Sequence, residues 1–246
     1  MGMPITVEIA EPFARQEDLN QVFAYFRQID EKFSPFKAGS EVSRINRGEI
    51  SEADYSSEMK IIFSLAKETK QVTDGYFDIR QPDGKINPSG IVKGWAIWQA
   101  AQILKSSGIN NFYLNAGGDI EAVGRNKSGQ LWTIGLQNPF QPKEIIKVVY
   151  LADRGIATSG TYLRGRHIYN PHRPNDPLND IISLTVIGPN VYEADRFATA
   201  AFAMGAAGIS LIENQPELEG YLIDKDGTAT MTSKFEDYTI KLPSNA

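Results

Sequence analysis

The chain has 246 residues, a net charge of −5, 41% apolar residues and 22% charged residues. That length can bury a substantial core, and an acidic balance without a long Lys/Arg run argues against a nucleic-acid surface. The absence of cysteine excludes disulfides, thiolate metal sites and cysteine nucleophiles. Two histidines, His167 and His172, are too few for a multi-histidine metal centre. A metal here would need oxygen ligands, which favours magnesium or calcium. No stretch approaches ~18 uninterrupted apolar residues, so no membrane-spanning helix is expected. The start, "MGMPITVEIAEP", lacks the pattern of a signal peptide. "MGMPIT" fits the loose myristoylation pattern, which short sequences often meet by accident.

In chain order, "ITVEIA" alternates and reads as a strand. Leu19, Val22, Phe23, Phe26, Ile29 and Phe33 recur at helical spacing and predict a helix. "SPFKAGSEVSRINRGE" reads as a polar loop. The spacing then predicts a helix from Ser57 to Thr73, ended by Asp74-Gly75 with glycine as left-handed cap. "YFDI" is short and extended, "NPSG" is a turn, and a helix follows from about Ile91 to Ser106. "NFYLNA", "DIEAVG", "LWTIGLQ" and "IIKVVYLA" are strand-like, separated by "RNKSG" and "QNPFQP". "HIYN" and "ISLTVIG" read as two more strands around the loop "PHRPNDPLND". A helix over "EADRFATAAFAMG" and a short helix near Gly208–Asn214 come next. "GYLIDKDGTATMTS" reads as a hairpin turning at Asp226-Gly227. Regular βα alternation is missing, so the fold class is α+β.

Four stretches could carry chemistry. Asn190 and Glu193 form an N-x-x-E capping pattern. Asp195 is placed in the first turn, where the helix dipole favours a carboxylate. Thr199, four residues on, shares its face. The pair either braces the helix or holds a cation. In "NPSGIVKGWAIW", Gly90 and Gly94 flank Lys93 at a helix start, which suits either an anion or close helix packing. It is not a Walker loop. The Gly117-Gly118 break in "LNAGGDIEAVG" makes a tight turn or lets backbone touch a ligand, and the dinucleotide fingerprint is absent. Thr158, Ser159, Gly160 and Thr161 offer hydroxyls and amides suited to phosphate oxygens or a pyrimidine-like ring edge, with His167 close behind. The pattern is not a nucleophile elbow.

These pieces, in this order, resemble the ApbE-type flavin transferases. The matching stretches are "FSPFKAGSEVSRIN", "DGYFDIR", "NPSGIVKGWAIWQAAQIL", "NAGGDIEAVG", "WTIGLQNP", "IATSGTYLRGRHIYNP" and "SLTVIGPNVYEADRFATAAFAMG". The resemblance implies one domain over 1–246, with two mixed subdomains around a cleft for FAD. It implies an enzyme that uses Mg²⁺ and moves FMN from FAD onto a threonine of a partner flavoprotein, releasing AMP. Asp195 and Thr199 match the family's metal-binding carboxylate and hydroxyl, and the carbonyl of Val92 matches a further ligand. Phe36 falls where an aromatic faces the flavin. Tyr76, Phe77, Asp78, Ser89, Trp95 and Tyr169 match FAD-contacting positions. Lys93, Asn115, Gly117, Gly118, Asp119, Thr158, Ser159 and Gly160 are expected to bind FAD with them. His167 matches a candidate general base.

The sequence also departs from the family. Ala198 stands where some members carry a further acidic ligand, Asn87 replaces a frequent Asp, and Trp98 replaces another. Without a leader or lipid-attachment cysteine, the chain is expected to act in the cytoplasm or to be a processed form. FAD hydrolysis to FMN and AMP, or flavin binding without catalysis, are the alternatives at the same site.

Overall fold

The computed structural model describes residues 2–161, 168–178 and 180–239. Strand β1, Ile5–Ile9, leads into helix α1, Gln16–Phe33, which buries Val22, Phe26, Ile29 and Phe33 on one face. A short helix α2, Glu41–Asn46, lies inside the segment expected to be a polar loop. It forms because the Ser40 side chain accepts the Ser43 N–H at 3.0 Å, capping a helix that buries only Val42. Helix α3, Ser57–Val72, is capped in the same way by Ser56. After it the chain turns through Asp74 and Gly75, both at positive φ, so the left-handed exit is shared between them.

Helix α4, Ser89–Ser106, is buried on most of its surface, including Ile91, Val92, Trp95, Ile97, Ala100, Ala101 and Leu104. Strands β2, Phe112–Ala116, and β3, Asp119–Val123, form a hairpin. Its two turn residues, Gly117 and Gly118, both have positive φ, as a primed turn requires. Strands β4, Trp132–Gln137, and β5, Ile145–Leu151, form a separate two-stranded ribbon. Then come β6, Arg154–Gly160, β7, Ile181–Gly188, helix α5, Val191–Ala203, helix α6, Gly208–Glu213, β8, Glu219–Asp224, and β9, Ala229–Met231. The β8–β9 hairpin turns at Asp226-Gly227 as expected.

The main sheet has seven strands in the order β1-β2-β3-β6-β7-β8-β9, all antiparallel. The architecture is α+β. Alternation along the strands divides the interior. Ala157, Val186 and Leu222 face α5 through Phe197, Ala198 and Phe202. Their neighbours Ile156, Ile187 and Ile223 face the ribbon through Trp132, Ile134 and Leu151. A third cluster unites α1, α3 and α4 with β2. "HIYN" is not a strand over its described part, since Ile168, Tyr169 and Asn170 pair with no neighbouring strand. Among the described residues no helix is long and apolar enough to cross a membrane.

Candidate functional site

The site forms where the start of α4 meets the start of α5. Asn87 Oδ1 accepts the Ser89 N–H at 3.2 Å, which begins α4 just after the Asn-Pro turn. At the other helix, the Asn190 side chain accepts the Glu193 N–H at 3.0 Å. The expected capping box is only half made, because the Glu193 carboxylate turns to Arg196 at 2.7 Å. Asp195 is the fifth residue of α5 and not part of its first turn, so the helix dipole does not explain it.

Two contacts define the Asp195 carboxylate. The Gly94 backbone N–H donates to Oδ2 at 2.8 Å, and the Lys93 ammonium lies 3.4 Å from Oδ1. That ammonium also forms a closer ion pair with Asp119. Asp195 is 3% exposed and Asp119 1% exposed. Burial pushes the Asp195 carboxyl up to about 7, against the pull of Lys93. Gly94 permits this geometry, since a Cβ there would stand 2.6 Å from the Asp195 Cβ.

One cleft gathers most of the expected residues. Tyr76, Phe77, Asp78, Ser89, Lys93, Gly117, Thr158, Ser159, Gly160, Tyr169, Asp195 and Thr199 all line it. Thr158, Ser159 and Gly160 end strand β6, where the Thr158 N–H donates to Asp119 Oδ1 at 3.2 Å. Tyr169 spans the mouth and donates its hydroxyl hydrogen to the Arg80 carbonyl at 3.0 Å. Gln81, Asn87, Gly90, Ile168 and Pro171 complete the lining. Sequence reasoning did not assign Gln81, Ile168 or Pro171 to the site, although Ile168 and Pro171 lie within a matched stretch and Gln81 directly follows one.

The remaining expected residues lie elsewhere. Phe36 and Val92 line a second cavity of about 310 Å³, which shares Ser89 and Lys93 with the cleft. The Phe36 ring is 92% exposed. Trp95 is buried in the core, edge-on to Phe33 at 6.1 Å. Asn115 and Gly118 stabilise the hairpin turn, with Asn115 Oδ1 accepting the Gly118 N–H at 3.0 Å. Asp119 stands behind the cleft and is reached through Lys93. His167 lies outside the described residues. Ala198 is fully buried in the core.

The donors suit a hard divalent cation. Asp195 offers a buried carboxylate, and Thr199 offers a hydroxyl on the same cleft wall. Among the described residues no three His, Cys, Asp or Glu side chains gather as a metal cage. A cation here would therefore need hydroxyl, carbonyl or ligand oxygens to complete its shell.

Comparison with known proteins places this geometry in context. The profile described as the ApbE family matches residues 1–81 and 79–222. The FAD:protein FMN transferase of Escherichia coli K12 is 28% identical over 160 residues, covering 61% of this chain and 46% of its own. That of Vibrio cholerae serotype O1 is 32% identical over 133 residues, covering 50% and 40%. The chain thus spans about half the length of the curated relatives it matches. The solved flavin transferase ApbE from Vibrio cholerae superposes with a TM-score of 0.83 at 22% identity, over 97% of this chain and 96% of that one. The ApbE protein from Thermotoga maritima gives 0.86 at 21% identity, over 98% and 97%. These structural likenesses establish a shared fold.

Proposed function

Because the chain belongs to the ApbE family, we propose that it transfers FMN from FAD to a threonine hydroxyl of an acceptor flavoprotein. The hydroxyl oxygen forms a bond to the FMN phosphorus. The bond from that phosphorus to the bridging oxygen breaks, and AMP leaves with the bridging oxygen. The hydroxyl proton passes to His167, whose assignment rests on its sequence match. Such a base contributes roughly 10²–10⁴-fold.

Asp195 and Thr199 would hold Mg²⁺, which would neutralise pyrophosphate charge when bound; the Val92 carbonyl is a third ligand on its sequence match, since Val92 lines the neighbouring cavity. Lys93 adds a positive charge to the same wall. Ser159 and Gly160 line the same cleft and offer it a hydroxyl and backbone suited to phosphate oxygens, while Thr158 is held by Asp119 and Thr185. Phe36 leaves an apolar ring in water beside a connected cavity, and stacking a flavin there would remove that exposed surface. The observation that carries the reading is the convergence of Lys93, Asp195 and Thr199 with the β6 hydroxyls in one cleft.

The test mixes the protein with FAD, Mg²⁺ and a candidate threonine-bearing flavoprotein, and mass spectrometry reads the acceptor. One added FMN with equimolar AMP is expected. AMP without a modified acceptor would mean hydrolysis, and no AMP under any condition would mean flavin binding alone.

A further inference from the structure

Lys93 occupies a place that helix packing alone does not require. Its side chain is 14% exposed, and its ammonium sits between two buried carboxylates that would otherwise repel each other. Each carboxylate has one oxygen tied to backbone. Asp195 Oδ2 accepts from the Gly94 N–H, and Asp119 Oδ1 accepts from the Thr158 N–H. The second oxygen of each faces Lys93. The backbone contacts are fixed by α4 and β6, whereas the ammonium is a compact charge on a flexible stem. The contacts are also unequal, since Lys93 is closer to Asp119 than to Asp195. Lys93 lines both the cleft and the neighbouring cavity, which leaves it room to shift.

We propose that Lys93 is a resident counter-cation that holds Asp195 ready for a divalent cation and yields it when that cation binds, keeping Asp119 as its own partner. This rests on the reading of Asp195 as a cation ligand. Lys93 then acts on the two ligands of the cleft with opposite signs. Its charge opposes the incoming cation and sets an upper bound on cation affinity. The same charge, which lines the cleft in front of Asp119, attracts the phosphates of a dinucleotide. A lysine that merely braced the fold would not produce opposite effects on the two ligands.

The experiment measures manganese(II) binding without nucleotide, from the paramagnetic signal of the free ion, for the wild type, Lys93→Met, Asp119→Asn and Asp195→Ala. FAD binding without metal is measured by flavin fluorescence, and thermal unfolding checks that each variant is folded. Lys93→Met is expected to bind manganese about tenfold more tightly or better, and FAD more weakly. Asp119→Asn removes the competing carboxylate charge, so Lys93 bears more strongly on Asp195, and this variant is expected to bind manganese more weakly. It also serves if Lys93→Met does not fold. Unchanged or weaker manganese binding in Lys93→Met, or unchanged or tighter binding in Asp119→Asn, overturns the proposal. The Asp195→Ala variant separates the two levels. If it binds manganese as well as the wild type does, the cation reading itself fails. If it loses manganese while Lys93→Met gains nothing, only the role given to Lys93 fails.

Discussion

Gly94 donates its backbone N–H to Asp195 Oδ2 at 2.8 Å, and any side chain at position 94 would collide with the residue it serves. A Cβ there would also stand 2.9 Å from the Val191 carbonyl oxygen, which is backbone and cannot swing away. Gly94→Ala gains about 1 kcal/mol of helix propensity. Overpacking between α4 and α5 should cost more, up to ~3 kcal/mol. We expect a net loss of about 1–2 kcal/mol in urea denaturation, together with weaker divalent-cation binding as the Asp195 carboxylate is pushed aside.

Removal of the two proposed side-chain metal ligands should differ in degree. Asp195→Ala is expected to abolish Mg²⁺-dependent turnover, and surviving Mg²⁺ dependence would refute the assignment. Thr199→Val keeps the bulk that packs near Gly90 but removes the hydroxyl. It should weaken apparent Mg²⁺ affinity by about tenfold or more, with turnover partly restored at high Mg²⁺. Steady-state rates across a magnesium titration read both effects.

Glu121 predicts a pH dependence of folding. This carboxyl is 3% exposed and accepts the Val191 N–H at 2.7 Å, and burial pushes it up from 4.5 to about 7. The folded state therefore holds a proton that the unfolded state has already released between about pH 4.5 and 7. Stability should fall as pH rises through that window, with Asp195 adding to the slope in metal-free protein. Glu121→Gln retains an oxygen to accept from Val191. It should flatten the slope and leave the protein more stable than wild type at pH 8. Denaturation midpoints from pH 4.5 to 8 measure this, and an unchanged slope would count against Glu121.

Asn46 grips the segment that carries part of the cleft lining. Its amide donates to the Ile86 carbonyl at 2.9 Å and its oxygen accepts the Ile86 N–H at 2.8 Å. Ile86 in turn bridges Arg80, whose carbonyl receives the Tyr169 hydroxyl. Asn46→Ala should cost about 1–3 kcal/mol. It should raise hydrogen exchange at residues 80–87 ahead of the rest of the chain and weaken FAD binding. Uniform exchange across the molecule would show a global effect instead.

Elements with a strong period were legible from sequence. The stripe of Val22, Phe26, Ile29 and Phe33 marked α1, and the apolar runs of β2 to β5 marked their strands within a residue or two. Weakly patterned segments were not. Helix α2 buries one residue and depends on its Ser40 cap, so composition alone resembled a loop. Strand β6 ends in the Thr-Ser-Gly cluster, whose small polar residues lack the apolar alternation that marks a strand. Motif order identified most cleft residues, because the matched stretches converge in space. What one sequence could not give was pairing at long range. Nothing in it links Gly94 to Asp195, 101 positions away, or shows that Lys93 divides its charge between Asp119 and Asp195.

That separation also bears on synthesis. The ammonium arrives on α4, its first carboxylate follows at β3, and its second waits for α5, after most of the polypeptide has left the ribosome. A nascent chain halted before that helix carries the lysine and most of the cleft lining, but no Asp195 or Thr199. The proposed cation site is therefore complete only once α5 has docked against α4.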